Sequence, residues 1–142
     1  MKTPAYVLFA TLAVLACEAP KSGPLLVVRM DSTAYARDST GNANAGFTIS
    51  NLGTAPAFIQ RCCDHVALLV DTAGSGHWGQ FGGGTACLAI CSMTVQVVQP
   101  GDSTRGSFAW DRPATYRVRV LYGSTQGEPA GLQAPGAAFT IR

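Results

Sequence analysis

The sequence predicts an all-β protein, a single antiparallel β-sandwich of seven to eight strands over residues 25–142. Three observations carry this expectation. Beyond residue 24, short runs rich in Val, Ile, Phe and Tyr repeat with period two, the pattern of strands with one buried face. Between the runs lie Gly-, Pro- and Asp-bearing segments, because Gly permits positive φ and Pro presets the other corner of a turn. No stretch after residue 16 carries an apolar stripe at helical spacing.

The strands follow in order. Leu25 to Met30 (LLVVRM) opens with an apolar run that reads as a strand buried on both faces. Gly46 to Asn51 (GFTISN) alternates Phe47 and Ile49 with Thr48 and Ser50. Ala57 to Arg61, His65 to Asp71 (HVALLVD) and Met93 to Gln99 (MTVQVVQ) continue the series. The turns are Asn51-Leu52-Gly53, Asp71 to Gly76 and Pro100-Gly101-Asp102. Thr104 to Trp110 then leads through Asp111-Arg112-Pro113 into Ala114 to Tyr122, where Tyr116, Val118, Val120 and Tyr122 take one face and Arg117, Arg119 and Leu121 the other. Ala137 to Arg142 (AAFTIR) is the last strand, reached through a Gly- and Pro-rich loop. Two such faces pressed together place Phe47, Ile49, Val66, Leu68, Val95, Val97, Phe108, Trp110, Tyr116 and Val118 in the core.

The first sixteen residues are of another kind. Lys2 heads an uncharged apolar run from Ala5 to Ala16, the composition of a secretory signal. Twelve helical residues rise only about 18 Å, too little for a hydrocarbon core of about 30 Å, so a permanent membrane span is not expected. Small Ala16 precedes Cys17 in Val14-Leu15-Ala16-Cys17. This segment resembles the lipobox of bacterial lipoproteins. The resemblance implies that residues 1–16 are a signal peptide, that Cys17 is diacylated and becomes the acylated mature N-terminus, and that the protein is anchored in the bilayer of the cell envelope. Leu15 is more often Ala or Ser in that family. Glu18, where inner-membrane retention uses Asp, favours the outer membrane. Residues 17–24, lipidated Cys17 followed by EAPKSGP, read as a short polar tether.

Charge excludes one large class of partner. The chain carries ten Lys plus Arg and eight Asp plus Glu, a formal charge of +2, and the basic residues are scattered, so no nucleic-acid footprint is present. Arg117 and Arg119 form the only close basic pair of the domain and read as a solvated strand face. A monomer is expected.

The order GFTISNLGTAPAFI, VVQPGDSTRGSFAW, YRVRVLYG and a terminal FTI strand resembles immunoglobulin-like sandwich modules of bacterial exported proteins. A narrower similarity is to the intracellular-proteinase-inhibitor (BsuPI) sandwich, carried by Trp78, Pro100-Gly101-Asp102-Ser103, Trp110 and Tyr116; Thr115 stands where that pattern has Gly. The second similarity implies protease inhibition as an alternative function.

Setting Cys17 aside leaves Cys62, Cys63, Cys87 and Cys91, an even number that in an exported chain points to disulfides. Three connectivities are open. The two cross-pairings, each closing a loop of about 25 residues and stabilising by roughly 3 kcal/mol per bond, are favoured over the neighbour pairs. Adjacent cysteines point to opposite faces of a strand, so a bulge or turn is needed near Arg61-Cys62-Cys63-Asp64. The bridged segment includes GSGHWGQFGGGT and reads as a presented loop with Trp78 and Phe81 as contact residues. The rival reading is a copper or zinc site, since Cys62, Cys63, His65, His77, Cys87, Cys91 and Met93 are soft ligands close in sequence. The absence of Cys-x-x-Cys or His-x-His spacing weighs against it, and no metal or other cofactor is expected.

Enzyme motifs are missing. Gly74-Ser75-Gly76 beside His77 is not Gly-x-Ser-x-Gly, and Gly82 to Gly84 lack the Lys-Ser or Lys-Thr of a phosphate loop. The expectation is a non-enzymatic, membrane-anchored lipoprotein that binds a protein or envelope partner.

Overall fold

A computed structural model of the chain describes residues 22–84, 92–127 and 131–142, the backbone alone over 80–84. Twelve strands occur among these residues: β1 Leu26–Met30, β2 Ala34–Tyr35, β3 Ala43–Asn51, β4 Ala57–Cys62, β5 His65–Val66, β6 Leu68–Ala73, β7 Trp78–Gly84, β8 Met93–Val98, β9 Ser103–Trp110, β10 Ala114–Gly123, β11 Leu132–Pro135 and β12 Phe139–Ile141. The excess over seven or eight comes from three segments whose composition reads as loop (β2, β7 and β11) and from the division of HVALLVD into β5 and β6.

Two sheets face each other. The first has the order β1-β3-β9, antiparallel throughout. The second is built around β10, which pairs on one edge with β12 and β11 and on the other with β6 and β4. β7 continues the sheet from β6, β8 and β5 from β4, and β2 runs parallel to β12. The chain therefore leaves the first sheet after Met30 and joins the second at Ala34. β10 supplies the clearest alternation, with Tyr116, Val118, Val120 and Tyr122 buried and Arg117, Arg119 and Leu121 on the other face, as its sequence predicts.

The core lies between the sheets and is aromatic at one end. Phe108 meets Phe139 edge-on at 5.9 Å, Trp110 meets Tyr116 at 5.9 Å, and Tyr35 meets Phe139 at 5.6 Å; such T-shaped pairs are favoured by the ring quadrupole. Tyr116, near the start of β10, donates its hydroxyl hydrogen to the Arg112 carbonyl at 2.9 Å. This is the corner tyrosine of immunoglobulin-like sandwiches, and with the two-sheet arrangement it establishes that fold.

Asn51 ties the sheets together at the opposite end. Fully buried, its Oδ1 accepts from the Leu25 and Gly53 amides at 3.2 and 3.0 Å, and its Nδ2 donates to the Ala55 and Val98 carbonyls at 2.8 and 2.9 Å. Its own amide and carbonyl bond Asp102 and Gly101. The Gln99–Asp102 turn closes with Asp102 N–H on the Gln99 carbonyl and has Gly101 at φ +84° after Pro100, the requirement of a type II turn. Gly53 admits no Cβ, because one would collide with the Gly23 carbonyl and the Leu25 amide; the segment entering β1 is thereby clamped, with Gly23 also bonded to Thr54.

Several expectations are corrected. β1 is buried on one face only, since Val27 and Arg29 are exposed. Val95 and Val97 are exposed rather than in the core. The period of β8 is right and its phase is wrong: register with β4 sets Val98 opposite Ala57 and Gln96 opposite Ile59, so Val98 is buried while Gln96 sits half-buried between Arg61 and Thr104. Phe108 and Trp110 pack on the core but are only partly buried. Asp71 to Ala73 are strand, not turn; the hairpin is Gly74 to His77, closed by Gly74 N–H on the His77 carbonyl.

Candidate functional site

The segment expected as a presented loop is strand β7, paired antiparallel to β6 from Ala73–Trp78 to Leu69–Gly84, with a register shift at Leu69/Val70. Glycine is a poor strand former in isolation, and the neighbouring strand supplies the order. Trp78 is 37% exposed and occupies the outer face of the second sheet. Phe81 lies in the same strand opposite Val70.

Trp78 begins a polar row that crosses four strands. The Arg117 guanidinium of β10 sits 4.7 Å from the Trp78 ring centre, within cation–π range. Its Nε and Nη2 donate to Asp71 Oδ2 at 3.2 and 2.7 Å. Arg119 donates from Nη2 to Asp71 Oδ1 at 2.7 Å and from Nη1 to Gln133 Oε1 of β11 at 2.7 Å. The arginine side chains are 28% and 18% exposed and that of Asp71 3%. Arg117 and Arg119 are thus no solvated pair: strand register places Arg117 opposite Asp71, and both cations lie over a buried carboxylate. Burial pushes the Asp71 carboxyl up, but hydrogen bonds from Arg119 and Arg117, with their positive charge, outweigh it and hold the group below the ordinary carboxylate value. The result is an arginine–tryptophan surface fixed from beneath.

The cysteine expectation is partly placed. Cys62 ends β4, buried; Cys63 and Asp64 form the two-residue turn into β5, with Cys63 at φ 52°, and Cys62 pairs with His65. This is the turn required for adjacent cysteines to diverge. Both residues engage partners. Cys87 and Cys91 lie outside the described residues, as does Cys17. Met93 is opposite Cys62 across β8 and β4, His77 is in the β6–β7 hairpin with Nδ1 3.3 Å from the Ser75 carbonyl, and among the described residues no three His, Cys, Asp or Glu gather as a metal site. No helix among them is long and apolar enough to cross a membrane.

A second feature escaped sequence reasoning. An apolar cleft of about 260 Å³ opens between β6 and β9, lined by Leu68, Val70, Phe108 and Trp110 with His65 at its rim. Its residues come from segments about 40 positions apart, and no local pattern joins them.

No family model matches the chain, and no curated protein does. Among solved structures it is similar to a protein assigned as ApaA from Bordetella pertussis (18% identity, TM-score 0.48, covering 85% of this chain and 95% of that one). It is also similar to a CARDB domain from Pyrococcus furiosus solved in complex with di-metal ions (10% identity, TM-score 0.42, 87% and 93%). A third similarity is to the sporulation control protein Spo0M from Bacillus subtilis (8% identity, TM-score 0.45, 85% of this chain and 50% of that one).

Proposed function

We propose that the chain is an exported lipoprotein, acylated at Cys17 and held at the cell envelope, whose sandwich is a non-enzymatic binding module. The partner surface in this reading is the outer face of the second sheet at Trp78. The observation that carries it is the half-exposed Trp78 ring stacked on an Arg117 whose other side is locked to Asp71. Tryptophan and arginine dominate binding hot spots, and groups already held in place lose little entropy on association. The four remaining cysteines, in this reading, form disulfides that fix the base of β7. Outer-membrane placement follows from Glu18 in the lipobox resemblance.

The test is crosslinking of the native lipoprotein in its envelope, with wild type and Trp78→Ala compared. Loss of a specific crosslinked species on Trp78→Ala, with the variant still fully folded at the crosslinking temperature, supports the assignment. An identical set of crosslinked species in both removes Trp78 from the contact surface.

A further inference from the structure

We infer that the outer face of the first sheet is a second interaction surface, built to enter the headgroup layer tip first in the bilayer in which Cys17 is anchored. The inference rests on the lipid-anchor reading. Register sorts this face into rows. Leu25 and Leu52 form the first, joined by Leu52 N–H on the Leu25 carbonyl at 2.8 Å. Val27, Ser50 and Ser103 form the second, and Arg29, Thr48 and Arg105 the third. Leu25, Val27 and Leu52 are 50%, 43% and 65% exposed. An apolar tip is therefore followed, about 7 to 14 Å along the strands at roughly 3.4 Å per residue, by two arginines that line one polar groove of about 320 Å³ with Met30, Asp31, Thr48 and Ser50.

Among the described residues neither the Arg29 nor the Arg105 side chain has a hydrogen bond or ion pair. Asp31, the one carboxylate among the described residues that line the groove, lies at the end remote from the tip, folded over Gly46. The tether arrives at the apolar tip, where Gly23 is bonded to Thr54 beside Leu52, and only Glu18 to Ser22 separate Gly23 from Cys17. Apolar side chains at the anchored end and cations one headgroup depth further out match the layering of a bilayer surface, where apolar groups enter the acyl boundary and arginines meet phosphate. An anionic lipid surface is thus the occupant that charge and tether position select.

The experiment uses the mature protein extracted from membrane and reconstituted on vesicles of phosphatidylcholine with or without phosphatidylglycerol. Intact mass reports acylation separately. For acylated protein, backbone hydrogen exchange over residues 25–30 and 50–53 is expected to slow on phosphatidylglycerol vesicles and to return to the detergent value in Arg29→Glu/Arg105→Glu and, independently, in Leu52→Ser. Exchange unchanged by vesicles overturns the inference while the anchor stands; slowing that rises with protein concentration in detergent assigns the face to a second copy and also overturns it. If the mass shows no acyl group, the anchor reading fails, and cosedimentation with the same vesicles decides: binding weakened about 30-fold by Arg29→Ala/Arg105→Ala, roughly fivefold per arginine, upholds the surface, and no binding overturns it.

Discussion

Arg117 and Arg119 on one outer face of the sandwich close on a single buried carboxylate, whereas Arg29 and Arg105 on the opposite face have no ion-pair partner among the described residues. The difference follows from what register puts beneath each pair. Under Arg117 lies Asp71 of β6, on a strand flanked by β7 and β10; between Arg29 and Arg105 lies Thr48, which has no charge. The first pair holds the molecule together and presents a fixed surface with Trp78. The second contributes its charge to the outside. Identical residue types thus take a structural or an external role according to one cross-strand neighbour.

The largest effect is expected at Asp71. Asp71→Ala removes the counter-charge from two partly buried guanidinium groups, and a loss of about 3–5 kcal/mol is expected in urea unfolding. Replacing Asp71, Arg117 and Arg119 together by apolar residues of similar size is expected to recover much of that loss; failure to recover would mean the triad does more than satisfy its own charges.

Acid comes next. Because the folded-state pKa of Asp71 is depressed, its contribution to stability is fully present above the unfolded carboxylate value near 3.8 and disappears as pH falls through the folded value below it. Unfolding free energy measured downward from pH 5 should therefore drop in wild type and in Arg29→Ala/Arg105→Ala alike, and with a shallower slope in Asp71→Asn. A shallower slope in the Arg29/Arg105 variant would place the acid-sensitive charge on the wrong face.

Trp78→Ala is a smaller change, about 0.5–2 kcal/mol for a half-exposed cation–π contact. A double-mutant cycle with Arg117→Ala isolates that coupling, and a coupling of zero would sever Trp78 from the row. The smallest effect belongs to Arg29→Ala/Arg105→Ala, for which unfolding should stay within about 0.5 kcal/mol of wild type.

Much of this was legible in the sequence. Alternation placed β10, β3 and β9, and Pro100-Gly101 declared its turn, because both signals are local. Other features were invisible for the converse reason. β7 contains four glycines among its seven residues, so its own propensity reads as loop and only pairing with β6 makes it a strand. Asp71 followed the apolar run LLV and preceded Thr-Ala-Gly, which reads as a turn start, while its partners lie 46 and 48 positions away. Val95, Val97 and Val98 offer both phases to the same strand, and only the register with β4 chooses between them.

The Asn51 junction also has a mechanical meaning. A pull transmitted through residues 17–24 reaches the fold at Gly23 and Leu25, where Thr54 and Asn51 receive it. β1 lies along β3 over five paired positions from Leu26 to Met30, so load applied at its first residue along the strand stretches the ladder in shear, its bonds resisting together instead of opening in sequence. Through Nδ2 the same asparagine passes part of that load to Val98 in the opposite sheet. The point where the chain enters the fold is thus a point where both halves of the sandwich share the strain.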